Sequence, residues 1–112
     1  MSGTLAYVSL TGAILLGIAG QVLLKSGSVG APNVVAQLFN PLTIVGFAVY
    51  ALAAIAYVAA LNKIPVSIAF PSVGASYAIL AVLAHILWNE PLGWPQIGGI
   101  LLIGGGIFMV HQ

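Results

Sequence analysis

The chain has 112 residues and only three charged side chains, Lys25, Lys63 and Glu90. It has no cysteine, 62% of its residues are apolar, and its mean hydropathy is +1.21. Soluble domains carry charge on about a quarter of their residues, disordered chains are poor in apolar residues, and nucleic-acid surfaces need a basic face, so none of these classes fits. Missing cysteines exclude disulfide scaffolds, thiolate metal sites and cysteine nucleophiles. The class left is a small integral membrane protein.

A helix needs about 20 predominantly apolar residues to cross about 30 Å of hydrocarbon. Four segments meet this, over about 4–24, 42–61, 66–88 and 92–110. They are apolar all round, whereas barrel strands alternate polar and apolar residues. The N-terminal run lacks a basic leader region and is too long for a removable signal peptide. The expected fold class is therefore an all-α membrane protein of four transmembrane helices, with residues 1–112 forming one domain.

Within the first segment, Gly17 and Gln21 are four apart and share a helix face, with Gly20 beside them. The glycines admit another backbone closely, and Gln21 brings two donors and an acceptor into a dry setting. Gln21 either bonds helices together or lines a substrate path. The first connection, Lys25 to Pro41, is long, and its middle, 34–39, suits one or two interfacial helical turns. In the second segment Tyr50 and Tyr57, seven apart, lie on one face. Packing is the default reading for such a pair, and lining a groove is the alternative.

Asn62-Lys63-Ile64-Pro65 is short enough to make a tight hairpin into the third segment. There Pro71 removes a backbone hydrogen bond and predicts a kink. Gly74 and the hydroxyls of Ser67, Ser72 and Ser76 can satisfy the freed groups or a ligand. Broken helices of this kind line cavities in transporters. His85, with no carboxylate at helical spacing, reads as an interfacial hydrogen-bonder. Trp88 and Trp94 bracket the third connection and mark one membrane surface. Glu90 precedes the fourth segment, where it can favour the helix N-terminus electrostatically or meet an arriving cation. In the fourth segment Gly98 and Gly105, and Gly99 and Gly106, repeat at seven and align small residues on a stripe for packing or a dimer contact. No phosphate loop, metal-ligand set or nucleophile triad is present. No enzyme activity, cofactor, metal or nucleic-acid partner is expected.

Four spans put both termini and Lys63 on one side, and Lys25 and Glu90 on the other. Each side has one lysine, so the charge bias that sets orientation is zero. Two readings stand: dual topology with an antiparallel dimer, or an orientation decided by a partner or the free N-terminus.

Asn62-Lys63-Ile64-Pro65-Val66-Ser67-Ile68-Ala69-Phe70-Pro71, Leu87-Trp88-Asn89-Glu90-Pro91, and the glycines Gly98, Gly99, Gly104, Gly105 and Gly106 together resemble the drug/metabolite transporter superfamily. The similarity is to its four-helix members, the small multidrug resistance proteins and the small subunits of the aminoarabinose-phospho-undecaprenol flippase. Multidrug exporters carry an intramembrane Glu, followed by Gly three residues later and Lys eight later. Gly20 and Lys25 match that pattern, but Gly17 stands at the Glu position, and the exporters' helix-three Tyr and Trp fall at Phe70 and Val73. No intramembrane carboxylate is left to exchange protons for a cation. Ala19-Gly20-Gln21 with Lys25, the Ile-Pro-Val-x-Ile-Ala-aromatic-Pro run and Leu-Trp-x-Glu-Pro look like the flippase subunit instead. The resemblance implies a bundle like that of the small multidrug resistance proteins in the bacterial inner membrane. It further implies a homodimer, or a heterodimer with a similar small subunit, that flips a polyprenyl-phosphate-linked sugar. Gln21, Lys25, Lys63, Ser67, Ser72, Ser76 and Glu90 are the candidate contacts. A small exporter of cations or metabolites and a non-transporting assembly subunit are the alternatives.

Overall fold

The computed structural model describes residues 2–112 as five helices: α1 (Gly3–Ser28), α2 (Val34–Leu38), α3 (Pro41–Ala60), α4 (Val66–Trp88) and α5 (Trp94–Val110). α1, α3 and α4 are each long and apolar enough to cross a membrane. α5 is apolar but has 17 residues, which at 1.5 Å per residue spans roughly 25 Å, the short end of what a bilayer requires.

Side chains at the ends explain where the helices start. The Ser2 hydroxyl accepts from the Leu5 N–H (3.1 Å) at the head of α1. Asn33 and Asn40 do the same for α2 and α3, accepting from the N–H groups of Ala36 and Leu42, both at 2.9 Å. These bonds satisfy donors that the first helical turn leaves without partners. α4 ends on Asn89, whose φ of 55° lies in the left-handed region that closes helices. The Gln96 side chain accepts from the Gly93 N–H (3.0 Å) at the start of α5. α1 continues a turn beyond the expected end at Leu24. Ser26 and Ser28 donate to the carbonyls of Val22 (2.8 Å) and Lys25 (2.6 Å) there, and Lys25 in the last turn complements the negative end of the helix dipole.

α1 and α3 form the tightest pair. Small residues make this possible, as van der Waals packing must replace the hydrophobic effect inside a bilayer. A Cβ on Gly20 would lie 3.1 Å from the Tyr50 ring, and one on Gly46 would lie 3.1 Å from Leu23 and Leu24. Gly27 sits directly over the buried Thr43. Ser9 donates across the pair to the Ala56 carbonyl (2.6 Å). α4 packs more lightly on α1, and α5 packs on α4. Beyond their short hairpin, α3 and α4 make almost no contact with each other, so a cleft floored by α1 lies between them. A small core closes one end of it: Ala6, Leu10, Ala60, Ile64 and Ala69, with Ile14, Tyr57, Ile68 and Val73 packed around them.

Two contacts fix the relation between connections. Lys25 Nζ lies 3.3 Å from Glu90 Oε2, so the first and third connections meet on one face. At the opposite face His111, after α5, reaches Ser72 near the start of α4, and its ring lies 6.5 Å from that of Tyr7 in α1.

Candidate functional site

The cleft holds a cavity of about 270 Å³. α1 supplies Ala13, Ile14, Gly17 and Gln21. α3 supplies Tyr50, Ala53, Ala54 and Tyr57, and α4 supplies Phe70, Val73, Ser76, Tyr77 and Leu80. None of these side chains carries a charge. Phe70 and Tyr77 are each 56% exposed, so the α4 wall of the cleft faces the surroundings of the chain. Gly17 leaves room on the α1 floor: a Cβ there would meet nothing within 4 Å.

The polar groups sit at separate levels. Gln21 Nε2 donates to Tyr50 Oη at 3.3 Å, leaving the tyrosine O–H, the second glutamine N–H and the glutamine carbonyl without partners among the described residues. Tyr57, two turns along α3, has a buried hydroxyl that makes no hydrogen bond among the described residues. Such a group is uncommon, because a buried polar atom without a partner costs its desolvation energy. The Ser76 hydroxyl is occupied, donating to the Val73 carbonyl at 2.6 Å.

Above Gln21, one helical turn along α1, lies the Lys25–Glu90 pair, with the two side chains 46% and 44% exposed. His85 completes this cluster. Its Nδ1 lies 2.8 Å from the Glu90 carbonyl, which can only accept, so that nitrogen carries the proton. His85 is thus an exposed hydrogen-bonder at the end of α4. Glu90 meets Lys25, and the N–H at the α5 terminus is served by Gln96. Exposed pairs contribute about 0–1 kcal/mol. A double-mutant cycle with Lys25→Met and Glu90→Gln, read by denaturant unfolding in detergent, should therefore give a coupling below about 1 kcal/mol. A coupling above about 2 kcal/mol would show that the pair is desolvated.

The other candidates are dispersed. Lys63 is exposed in the α3–α4 turn at the opposite end, and Ser67 is exposed on the first turn of α4. Ser72 is buried and donates to the Ile68 carbonyl at 2.7 Å. Its one proton being used, Ser72 must accept from His111 Nε2 at 2.6 Å. It ties α5 to α4 and does not line the cavity. α4 runs helical through Pro71, and Gly74 faces Ile103 and Ile107 of α5 at Cβ distances of 3.7 and 3.9 Å. A Cβ on Gly98, Gly99, Gly105 or Gly106 would meet nothing within 4 Å, so this stripe is uncovered in the single chain. Sequence reasoning does not single out Tyr77 or His111 and meets Phe70 only as the residue at the exporters' Tyr position, although Phe70 and Tyr77 repeat at seven and so offer a signal for the α4 wall. The seven-residue repeat of Tyr50 and Tyr57 was the available signal for the α3 wall.

Comparison with known proteins adds the lineage. Residues 2–112 match the model of the EamA-like transporter family. The chain belongs to that family. It is 34% identical to a probable 4-amino-4-deoxy-L-arabinose-phosphoundecaprenol flippase subunit ArnF of Aeromonas hydrophila, over 93% of this chain and 78% of that one. It is 38% identical to the ArnF of Shewanella sediminis, over 66% of this chain and 54% of that one. A probable ArnE subunit of the same type from Escherichia coli is 28% identical, over 93% and 95%. No solved structure matches the chain. With its apolar helices, this EamA-like protein is a multi-pass protein of the bacterial inner membrane.

Proposed function

We propose that this EamA-like protein moves a polyprenyl-phosphate-linked sugar across the inner membrane, as a dimer or as one subunit of a flippase. The observation that carries this reading is the uncharged, tyrosine-lined cleft between α3 and α4, walled by half-exposed aromatics. A lipid-linked sugar can enter such a cleft sideways with its tail left in the bilayer. Only the sugar and phosphate then need shelter. The names of the ArnF and ArnE relatives, flippase subunits for a phosphoundecaprenol-linked sugar, support the same class.

One chain leaves the glycine stripe of α5 uncovered and closes the cleft with packed core at one end only. Both features suit a second small subunit, identical or similar, seated along α5. In an antiparallel pair each membrane face presents Lys25 and Glu90 of one protomer and Lys63 of the other. Lys25 is neutralised by Glu90, which leaves Lys63 as the cation for a lipid phosphate. Lys63→Ala is expected to slow translocation several-fold and Lys25→Ala less, read as initial rates in proteoliposomes. Two variants at wild-type rate would remove the phosphate role.

The proposal is tested by reconstituting the purified protein in liposomes carrying a polyprenyl-phosphate monosaccharide and following its appearance in the outer leaflet with a membrane-impermeant oxidant. Translocation above the rate of empty liposomes is expected, and a pH gradient should drive no export of a cationic dye. Dye export without sugar movement would mark a small cation exporter. Inactivity alone, with activity restored by a co-purified larger membrane protein, would mark an assembly subunit.

A further inference from the structure

We infer that the α1–α3–α4 cavity selects a single uncharged, hydroxyl-bearing sugar ring and excludes a cationic amino sugar. The inference rests on the flippase reading and specifies the substrate of that same cleft. Four observations converge on it.

The first is charge. Every lining side chain is neutral, and the chain's one carboxylate, Glu90, is held by Lys25 at the membrane face beyond Gln21. An ammonium entering the cavity would lose its water and find no protein counter-ion. The faces of Tyr50, Tyr77 and Phe70 attract cations, but an aromatic face returns less than the desolvation of an ammonium costs. The second is hydrogen-bonding character. The Gln21–Tyr50 bond leaves a hydroxyl donor, an amide donor and a carbonyl acceptor next to each other. That mixed set complements a neutral hydroxyl, which donates and accepts, whereas an ammonium only donates.

The third is Tyr57, which lines the cavity and whose buried hydroxyl has no partner among the described residues. A ring hydroxyl that reaches it relieves the cost of that orphaned group. The fourth is size. A volume of about 270 Å³ falls below the roughly 300–1,000 Å³ of pockets for drug-sized ligands, which suits one monosaccharide and not a longer glycan. The named sugar of the ArnF and ArnE relatives carries an amine at position 4, so the cavity chemistry of this chain points to a different sugar.

The test uses the full-length protein in liposomes with three polyprenyl-phosphate sugars of one ring size: the neutral hexose or pentose, its 4-amino-4-deoxy analogue, and the N-formylated form of that analogue. Translocation of the neutral sugar should exceed that of the amine at least tenfold at neutral pH. N-formylation should restore most of the rate, because it removes the charge while enlarging the group. Tyr50→Phe should raise the apparent KM for the neutral sugar several-fold and leave helix content and thermal unfolding unchanged. Equal or faster movement of the amine would overturn the inference while leaving the flippase reading intact. Movement of none of the three would overturn both.

Discussion

Gly17→Phe is expected to reduce translocation of a lipid-linked monosaccharide at least tenfold while leaving the protein folded. The glycine lies on the α1 floor of the cavity, and nothing stands within 4 Å of a Cβ built there. A side chain therefore leaves the backbone there without meeting a neighbouring helix at its first carbon, and replacing glycine by phenylalanine inside a helix gains roughly a few tenths of a kcal/mol of propensity. The space it takes is the space assigned to the sugar. A tenfold loss corresponds to about 1.4 kcal/mol, a modest demand on steric exclusion in a cavity of about 270 Å³. Gly17→Ala, whose methyl leaves most of the volume free, should keep near wild-type rates. Equal loss in both variants would point to helix packing and away from an occupied cavity.

The largest effect on stability should come from Gly27→Ala. At this position an added methyl group collides with the Thr43 side chain and backbone, and Thr43 is itself buried. Neither can yield easily, since Thr43 lies in the first turn of α3, just after the Asn40 cap. Overpacking of this kind costs about 1–3 kcal/mol, and α1 and α3 form the most extensive helix pair in the chain. Gly98→Ala and Gly105→Ala, at positions with open space, should be neutral or slightly stabilising for the single chain. Denaturant unfolding in detergent, followed by helix content, checks both expectations. A neutral Gly27→Ala would contradict the α1–α3 packing described above.

The helices are legible because a bilayer demands long apolar runs, and the count of spans alone puts Lys25 and Glu90 on one face, where they pair. Finer features depended on which way each helix is rotated, and an all-round apolar helix carries no stripe to reveal that. Ser72 and Ser76 look equivalent in the sequence, four apart on one face. In the structure Ser76 lines the cavity, while Ser72 is held between Ile68 and His111. Gly74 lies against α5, where a Cβ would be in ordinary contact with Ile103 and Ile107 at 3.7 and 3.9 Å. α1 runs a turn past Leu24, where the uncharged apolar run stops. A lysine at a helix C-terminus favours the dipole and extends its charge toward water, so the helix continues to Ser28. Gln21 was open between helix glue and substrate path. It bonds Tyr50 and lines the cavity at once.

The claim that the α3–α4 cleft receives the sugar can be measured by photo-crosslinking. A benzoylphenylalanine introduced at Tyr77, on the exposed wall of the cleft, is compared with one at Leu102, which is 79% exposed on α5. Both proteins are placed in liposomes with a polyprenyl-phosphate sugar radiolabelled in the sugar ring and irradiated. A labelled adduct at position 77, competed by unlabelled neutral sugar lipid and absent at position 102, is the predicted result. Equal labelling at both positions, or labelling at 102 alone, would contradict it.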